Sequence, residues 1–272
     1  MKIKVVAFLL CSLSTAFAQI PYGSNNGKYL KIKDSKVYYE EYGQGMPLLL
    51  LHGGFGSISN FDKVIEPLSK HFKVYAIDSP GQGRSPQIDA ISYQIYADYY
   101  SAFIDAMKLD SVNVLGWSDG GNSAYILAHD RPDKVKKVVV SGANSDTDGY
   151  PDGAVAEMQS WKPETISAEL KQYWLDSFLK LSPNKSTWQK SFVQLRDMWV
   201  TKAVISDDHL SKIKSKFLVV YGDKDVTKLE HGLHIYRTIP GAQLAILPKT
   251  THHVFAEKPA LISQLIVEFL GK

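Results

Sequence analysis

With 272 residues, 44% of them hydrophobic and 22% charged, the chain has a globular composition and enough length for one large α/β domain carrying an insertion. Its 31 basic and 28 acidic residues nearly cancel and no Lys/Arg cluster stands out, so no nucleic-acid partner is expected. The start differs in kind: Lys2 and Lys4, the apolar run Val5 to Leu13, and Ala16-Phe17-Ala18 supply the three regions of a secretory signal peptide. We expect residues 1–18 to be removed after Ala18 and the mature protein to be secreted or periplasmic. The run falls short of the ~20 apolar residues that a membrane anchor needs, and no other stretch reaches that length, so no stable membrane insertion is expected. Cys11, the single cysteine, lies in this leader. The mature chain then has neither a disulfide framework nor a thiol nucleophile, and 29 basic residues face 28 acidic ones once Lys2 and Lys4 are gone.

Taken in order, Tyr29 to Lys33 and Lys36 to Tyr42 alternate and are rich in strand formers, with Asp34-Ser35 as the turn of an entry hairpin. Pro47 to Leu51 is a continuous apolar run suited to a strand buried on both faces of a parallel sheet, and it ends in His52-Gly53-Gly54-Phe55-Gly56. A helix from Phe61 to Leu68 leads to a strand, Lys73 to Ile77, that ends at Asp78 to Ser85. Between Ser92 and Leu109 the residues Ile95, Tyr96, Tyr99, Ala102, Phe103, Ala106 and Met107 fall at three- and four-residue spacing, which predicts an amphipathic helix. Val112 to Leu115 is the next strand, Asn122 to His129 a helix, and Val135 to Val140 a strand. Alternation of this kind implies a parallel sheet covered by helices on both faces.

The alternation stops from about Ser145 to Asp208, where the helical stretches Ser167 to Leu181 and Thr187 to Val200 hold most of the order. Four of the five tryptophans fall in this segment: Trp161, Trp174, Trp188 and Trp199. Aromatics at helical spacing pack a small subdomain's own core, and an inner subset is expected to line an apolar pocket as a lid. The sheet resumes at Lys216 to Tyr221, followed by Gly222-Asp223-Lys224-Asp225, a helix from Leu229 to Ile239, a strand from Gln243 to Leu247, and a closing helix from about Glu257 to Leu270. The expected division is a core of residues 19–144 and 209–272 with a helical lid of 145–208.

Gly116-Trp117-Ser118-Asp119-Gly120 spells G-x-S-x-G between a strand and a helix. The string alone arises by chance in about one chain in ten of this length. What gives it weight is company at the other strand ends, where an α/β sheet collects its chemistry: Gly54, then Ser118, then Asp225, then His252. From Lys28 to the C-terminus the chain resembles an α/β-hydrolase fold protein, on His52-Gly53-Gly54, the Asp78 to Ser85 turn, the serine elbow, Gly222 to Asp225, and His252 ahead of Glu257-Lys258-Pro259. The resemblance implies an α/β-hydrolase fold, with a mostly parallel central sheet, helices on both faces and a helical lid inserted after the sixth strand. It also implies a triad of Ser118, Asp225 and His252, with the backbone N–H groups of Asp119 and Gly54 as the oxyanion hole. Asp223 and His253 compete for the acid and base positions; motif position favours Asp225 and His252. His52 reads as a structural part of the oxyanion loop, and His231 with His234 lacks a third metal ligand, so no metal or organic cofactor is expected.

Asp119 invites two readings. An acid in the first turn of a helix suits the macrodipole. Gly116 to Gly121, with Ser141-Gly142-Ala143-Asn144, also resembles the valacyclovir hydrolase branch, which implies that Asp119 holds the ammonium of an amino-acid ester. Phe55 and Trp117 are the other substrate-binding candidates. The expected function is cleavage of a small carboxylic ester through an acyl-enzyme. An iminopeptidase-like amidase and a slow-turnover ligand-binding protein are the alternatives, and the substrate is a small-molecule ester or amide.

Overall fold

The computed structural model describes residues 22–24, 26–201 and 204–271, so the expected leader lies outside the described residues. Eight strands form one sheet: β1 (Lys28–Ile32), β2 (Ser35–Tyr42), β3 (Met46–Leu51), β4 (Phe72–Ile77), β5 (Val112–Trp117), β6 (Val135–Ser141), β7 (Lys216–Lys224) and β8 (Gln243–Thr251), in the spatial order β1-β2-β4-β3-β5-β6-β7-β8. The β1–β2 hairpin is antiparallel and β2 pairs antiparallel with β4, whereas the pairs from β4 through β3 to β8 are parallel.

Period-two alternation divides the apolar strands between two cores. Leu49 and Leu51 of β3, Val114 of β5 and Val138 and Val140 of β6 pack one face, beneath α2 (Tyr93–Ala106), α3 (Asp119–Asp130) and α8 (Leu229–Thr238). Leu48, Leu50, Leu115 and Val139 pack the other, under α1 (Asp62–Ser69) and the closing helix α10 (Pro259–Gly271), whose Ile262, Ile266 and Leu270 recur every four residues. Burial on both faces explains why β3 is four consecutive leucines.

In open α/β sheets the strand order marks where ligands bind. The chain goes from β3 to β4 on one side, then crosses β3 to place β5 on the other. The connections after β3 and β5 therefore leave in opposite directions, which makes this the topological switch point of the sheet. Gly120 brings the two together: a methyl group there would lie 2.0 Å from the Leu51 carbonyl oxygen.

Between β6 and β7 lie α4 (Ala154–Ser160), α5 (Ala168–Leu181), α6 (Trp188–Trp199) and α7 (Asp207–Ser211), the helical lid insertion, with α7 spanning the expected junction at 208. The insert leaves and re-enters the core at one place, because the Ser145 carbonyl accepts the N–H groups of both Val204 and Ile205, each at 3.0 Å. The Ser145 N–H is held by the buried His231 Nε2 at 3.0 Å. After β8 the chain forms α9 (Val254–Glu257) and then α10.

Two strands run further than the apolar pattern. β7 continues to Lys224 and β8 to Thr251, with Lys224 opposite Thr251 after a register shift at Gly222. This extension carries Asp225 and His252 to adjacent positions.

Candidate active site

Ser118 stands at the end of β5 with φ +53° and ψ −122°, a backbone conformation that costs a non-glycine residue about 1–3 kcal/mol. The cost is met by bonds on either side: Ser118 N–H donates to the Ser141 carbonyl at 2.8 Å, and its own carbonyl accepts from Asn122 N–H at 2.9 Å, the first bond of α3. The loop after β3 folds onto the same place, since a methyl group at Gly53 would lie 2.9 Å from Ser118 Cβ. α3 begins at Asp119, so that residue's N–H is one of the four that an α-helix leaves without an intrahelical partner.

Asp225 and His252 meet through a hydrogen bond of 2.8 Å between His252 Nδ1 and Asp225 Oδ1. The Asp225 side chain is fully buried, and Thr227 N–H also donates to Oδ1 at 3.1 Å. This arrangement directs Nδ1–H at the acid and leaves Nε2 as the free base. Trp117 ties the pair to the elbow: its Nε1 donates to the His252 carbonyl at 2.9 Å, and its ring lies 5.4 Å from that of His252. Among the described residues no hydrogen bond joins Ser118 Oγ to His252, and such contacts commonly tighten only when substrate is bound. Asp223 has separate work, accepting the Thr250 N–H at 2.9 Å and so closing the bulged end of the β7–β8 ladder. His253 is exposed and faces Tyr173 of α5 in an edge contact at 6.4 Å.

His52 and His234 have side-chain partners away from Ser118. His52 is buried, accepts Ser79 N–H on Nε2 at 2.9 Å and meets the Gly53 carbonyl with Nδ1 at 2.7 Å, while burial lowers its pKa. His234 Nε2 pairs with Asp207 at 2.9 Å. Among the described residues no three His, Cys, Asp or Glu side chains converge as a metal site.

Asp119 is buried, and its two oxygens have different partners. Oδ1 accepts from Tyr93 OH at 3.0 Å and Oδ2 from Trp199 Nε1, on the lid, at 2.8 Å. Both donors are neutral. Burial pushes the carboxyl up to about 6, against the pull of these two hydrogen bonds. An acid whose folded value lies above its ordinary 3.8 favours the folded state most when protonated, so this group's contribution falls as pH rises from about 4 to 6. Urea unfolding of wild type and Asp119→Asn should therefore diverge across that window, with the variant gaining relative stability as pH rises. A difference that stays constant with pH would refute the buried charge.

Phe55 lies inside the lid. Its ring stacks on Trp174 at 4.8 Å and meets Trp188, Phe192 and Trp199 at 5.3, 5.8 and 5.7 Å. Trp117, by contrast, lies beside His252, away from this cluster. Tyr93 and Trp199 are the residues that sequence reasoning missed as partners of Asp119; they lie 26 residues before it and 80 after it.

A family model for the alpha/beta hydrolase fold matches residues 46–162. The human serine hydrolase BPHL is 26% identical over 249 residues, covering 86% of this chain and 83% of that protein. The 2-hydroxy-6-oxo-2,4-heptadienoate hydrolase of Pseudomonas putida is 27% identical over 252 residues, covering 85% of this chain and 91% of that one. Among solved structures, a meta-cleavage product hydrolase from Pseudomonas fluorescens superposes with a TM-score of 0.76 at 23% identity, over 90% of this chain and 97% of its own. The chain has the α/β-hydrolase fold.

Proposed function

We propose that this α/β-hydrolase-fold enzyme cleaves small carboxylic esters through an acyl-enzyme on Ser118. The observation that carries the reading is the 2.8 Å Asp225–His252 pair, set beside a serine held at positive φ. A serine hydroxyl is a weak nucleophile at neutral pH, and His252 Nε2 is the base that takes its proton as Oγ attacks the ester carbonyl. Asp225 keeps the ring in the Nδ1–H tautomer and stabilises the imidazolium. The tetrahedral oxyanion accepts from the N–H groups of Asp119 and Gly54, each worth about 10²–10³ in turnover. Collapse expels the alcohol, which takes the proton from His252. Water then attacks the acyl-enzyme, giving its proton to His252, and the carboxylic acid leaves as Ser118 regains a hydrogen.

A second reading concerns the acyl group. A buried carboxylate with only neutral donors is an unfavourable state that a cation relieves. Its place beside Ser118 suits the α-ammonium of an amino-acid ester, in line with the likeness to the valacyclovir hydrolase branch. Asp119→Asn should then lower kcat/KM for an amino-acid p-nitrophenyl ester by roughly 10–100-fold more than for the matched ester without the amine, the usual range for a charge-assisted hydrogen bond. Equal losses on both esters would remove the ammonium role while leaving ester cleavage intact.

A further inference from the structure

Trp199, the last residue of α6, brings the lid onto the oxyanion loop. A methyl group at Gly54 would lie 2.4 Å from Trp199 Cζ2, 3.0 Å from Cε2 and 2.6 Å from Asp119 Oδ2. The indole and the carboxylate therefore fill the space against Gly54, and a side chain there would collide with both. The ring is fixed on two sides. Its Nε1 donates to Asp119 at 2.8 Å, and Trp174 and Phe55 stand 5.5 and 5.7 Å away, centroid to centroid. Leu195, one turn earlier on α6, and Met198 are buried and seat the helix end.

We propose that Trp199 is the wall of the acyl pocket and that it restricts the enzyme to short acyl groups. The proposal rests on the acyl-enzyme reading above. Once the ester carbonyl points at the N–H groups of Gly54 and Asp119, the acyl chain departs along the face of Gly54. That face is occupied by an indole that the aromatic cluster behind it keeps from retreating.

The test compares p-nitrophenyl acetate, butyrate and octanoate with wild type, Trp199→Ala and Trp199→Phe. Each methylene newly accommodated in an apolar site is worth about fourfold, so the octanoate-to-acetate ratio of kcat/KM should rise on the order of 100-fold in Trp199→Ala. Trp199→Phe keeps a ring but removes the indole N–H and the Cζ2 edge that meets Gly54, and its ratio should rise less than in Trp199→Ala, by about 3–10-fold. Trp199→Leu keeps an apolar filler in the cluster, is the variant to read if the alanine form fails to fold, and should give an increase of about 10-fold. An unchanged ratio in both Trp199→Ala and Trp199→Leu, with acetate still cleaved, overturns the wall and leaves the acyl-enzyme reading standing. Absence of both acetate turnover and covalent labelling of Ser118 in wild type takes down both readings.

Discussion

Ser118→Ala should lower kcat for any ester the protein cleaves by roughly 10⁴–10⁶-fold and should abolish the covalent adduct with a fluorophosphonate seen by intact mass. The fold should survive. The bonds that hold the elbow run through the Ser118 backbone, to Ser141 and Asn122, and alanine meets the same positive φ at similar cost. Alanine removes one oxygen atom, which makes the variant a clean probe of chemistry. An adduct forming at the wild-type rate on Ser118→Ala would disprove the nucleophile assignment. Labelling of wild type without turnover of any ester would instead favour a protein that retains the fold for binding.

The second large effect separates two acids that stand two residues apart. Asp225→Asn should cost about 10⁴ in kcat, because an amide facing Nδ1 favours the tautomer with its proton on Nε2, where a base is needed. Asp223→Asn should cost only a few-fold, the scale of a lost turn hydrogen bond of about 1 kcal/mol. Its carboxylate serves the Thr250 N–H at the end of β8 and has no bond to the imidazole. The measurement is kcat on one activated ester for both variants with their thermal melts. If Asp223→Asn proved the more damaging with its melt unchanged, the acid would have to be reassigned.

Much of the sheet was legible because Leu48 to Leu51 of β3, Val114-Leu115 of β5 and Val138 to Val140 of β6 are buried on both faces and are apolar throughout. What was not legible lies where tertiary pairing extends a strand through polar residues. Gly222-Asp223-Lys224 and Pro248 to Thr251 look like turns locally, yet they pair across the β7–β8 bulge and deliver Asp225 and His252 to each other. The start of α3 was similarly read three residues late, since Asp119-Gly120-Gly121 has little helix propensity and is held by the close approach of β3. At the site, chain order together with family resemblance singled out Ser118, Asp225 and His252. It did not reveal the surroundings of Asp119. Tyr93 and Trp199 converge on that carboxylate from separate helices, and helical spacing marks each only as an inward-facing aromatic. The one local hint was polarity: a tyrosine hydroxyl and an indole N–H on buried faces each need an acceptor.

Ser145 has a wider consequence. With the insert's exit clasped to its entrance by one carbonyl, the sheet registers only that β6 and β7 are neighbours, whatever length of chain hangs between them. Exchange of everything past that clasp leaves the strand ends bearing Ser118, Asp225 and His252 where they are. On the proposed reading, selectivity and bond-breaking are thus separately heritable in this architecture: one can drift while the other is kept.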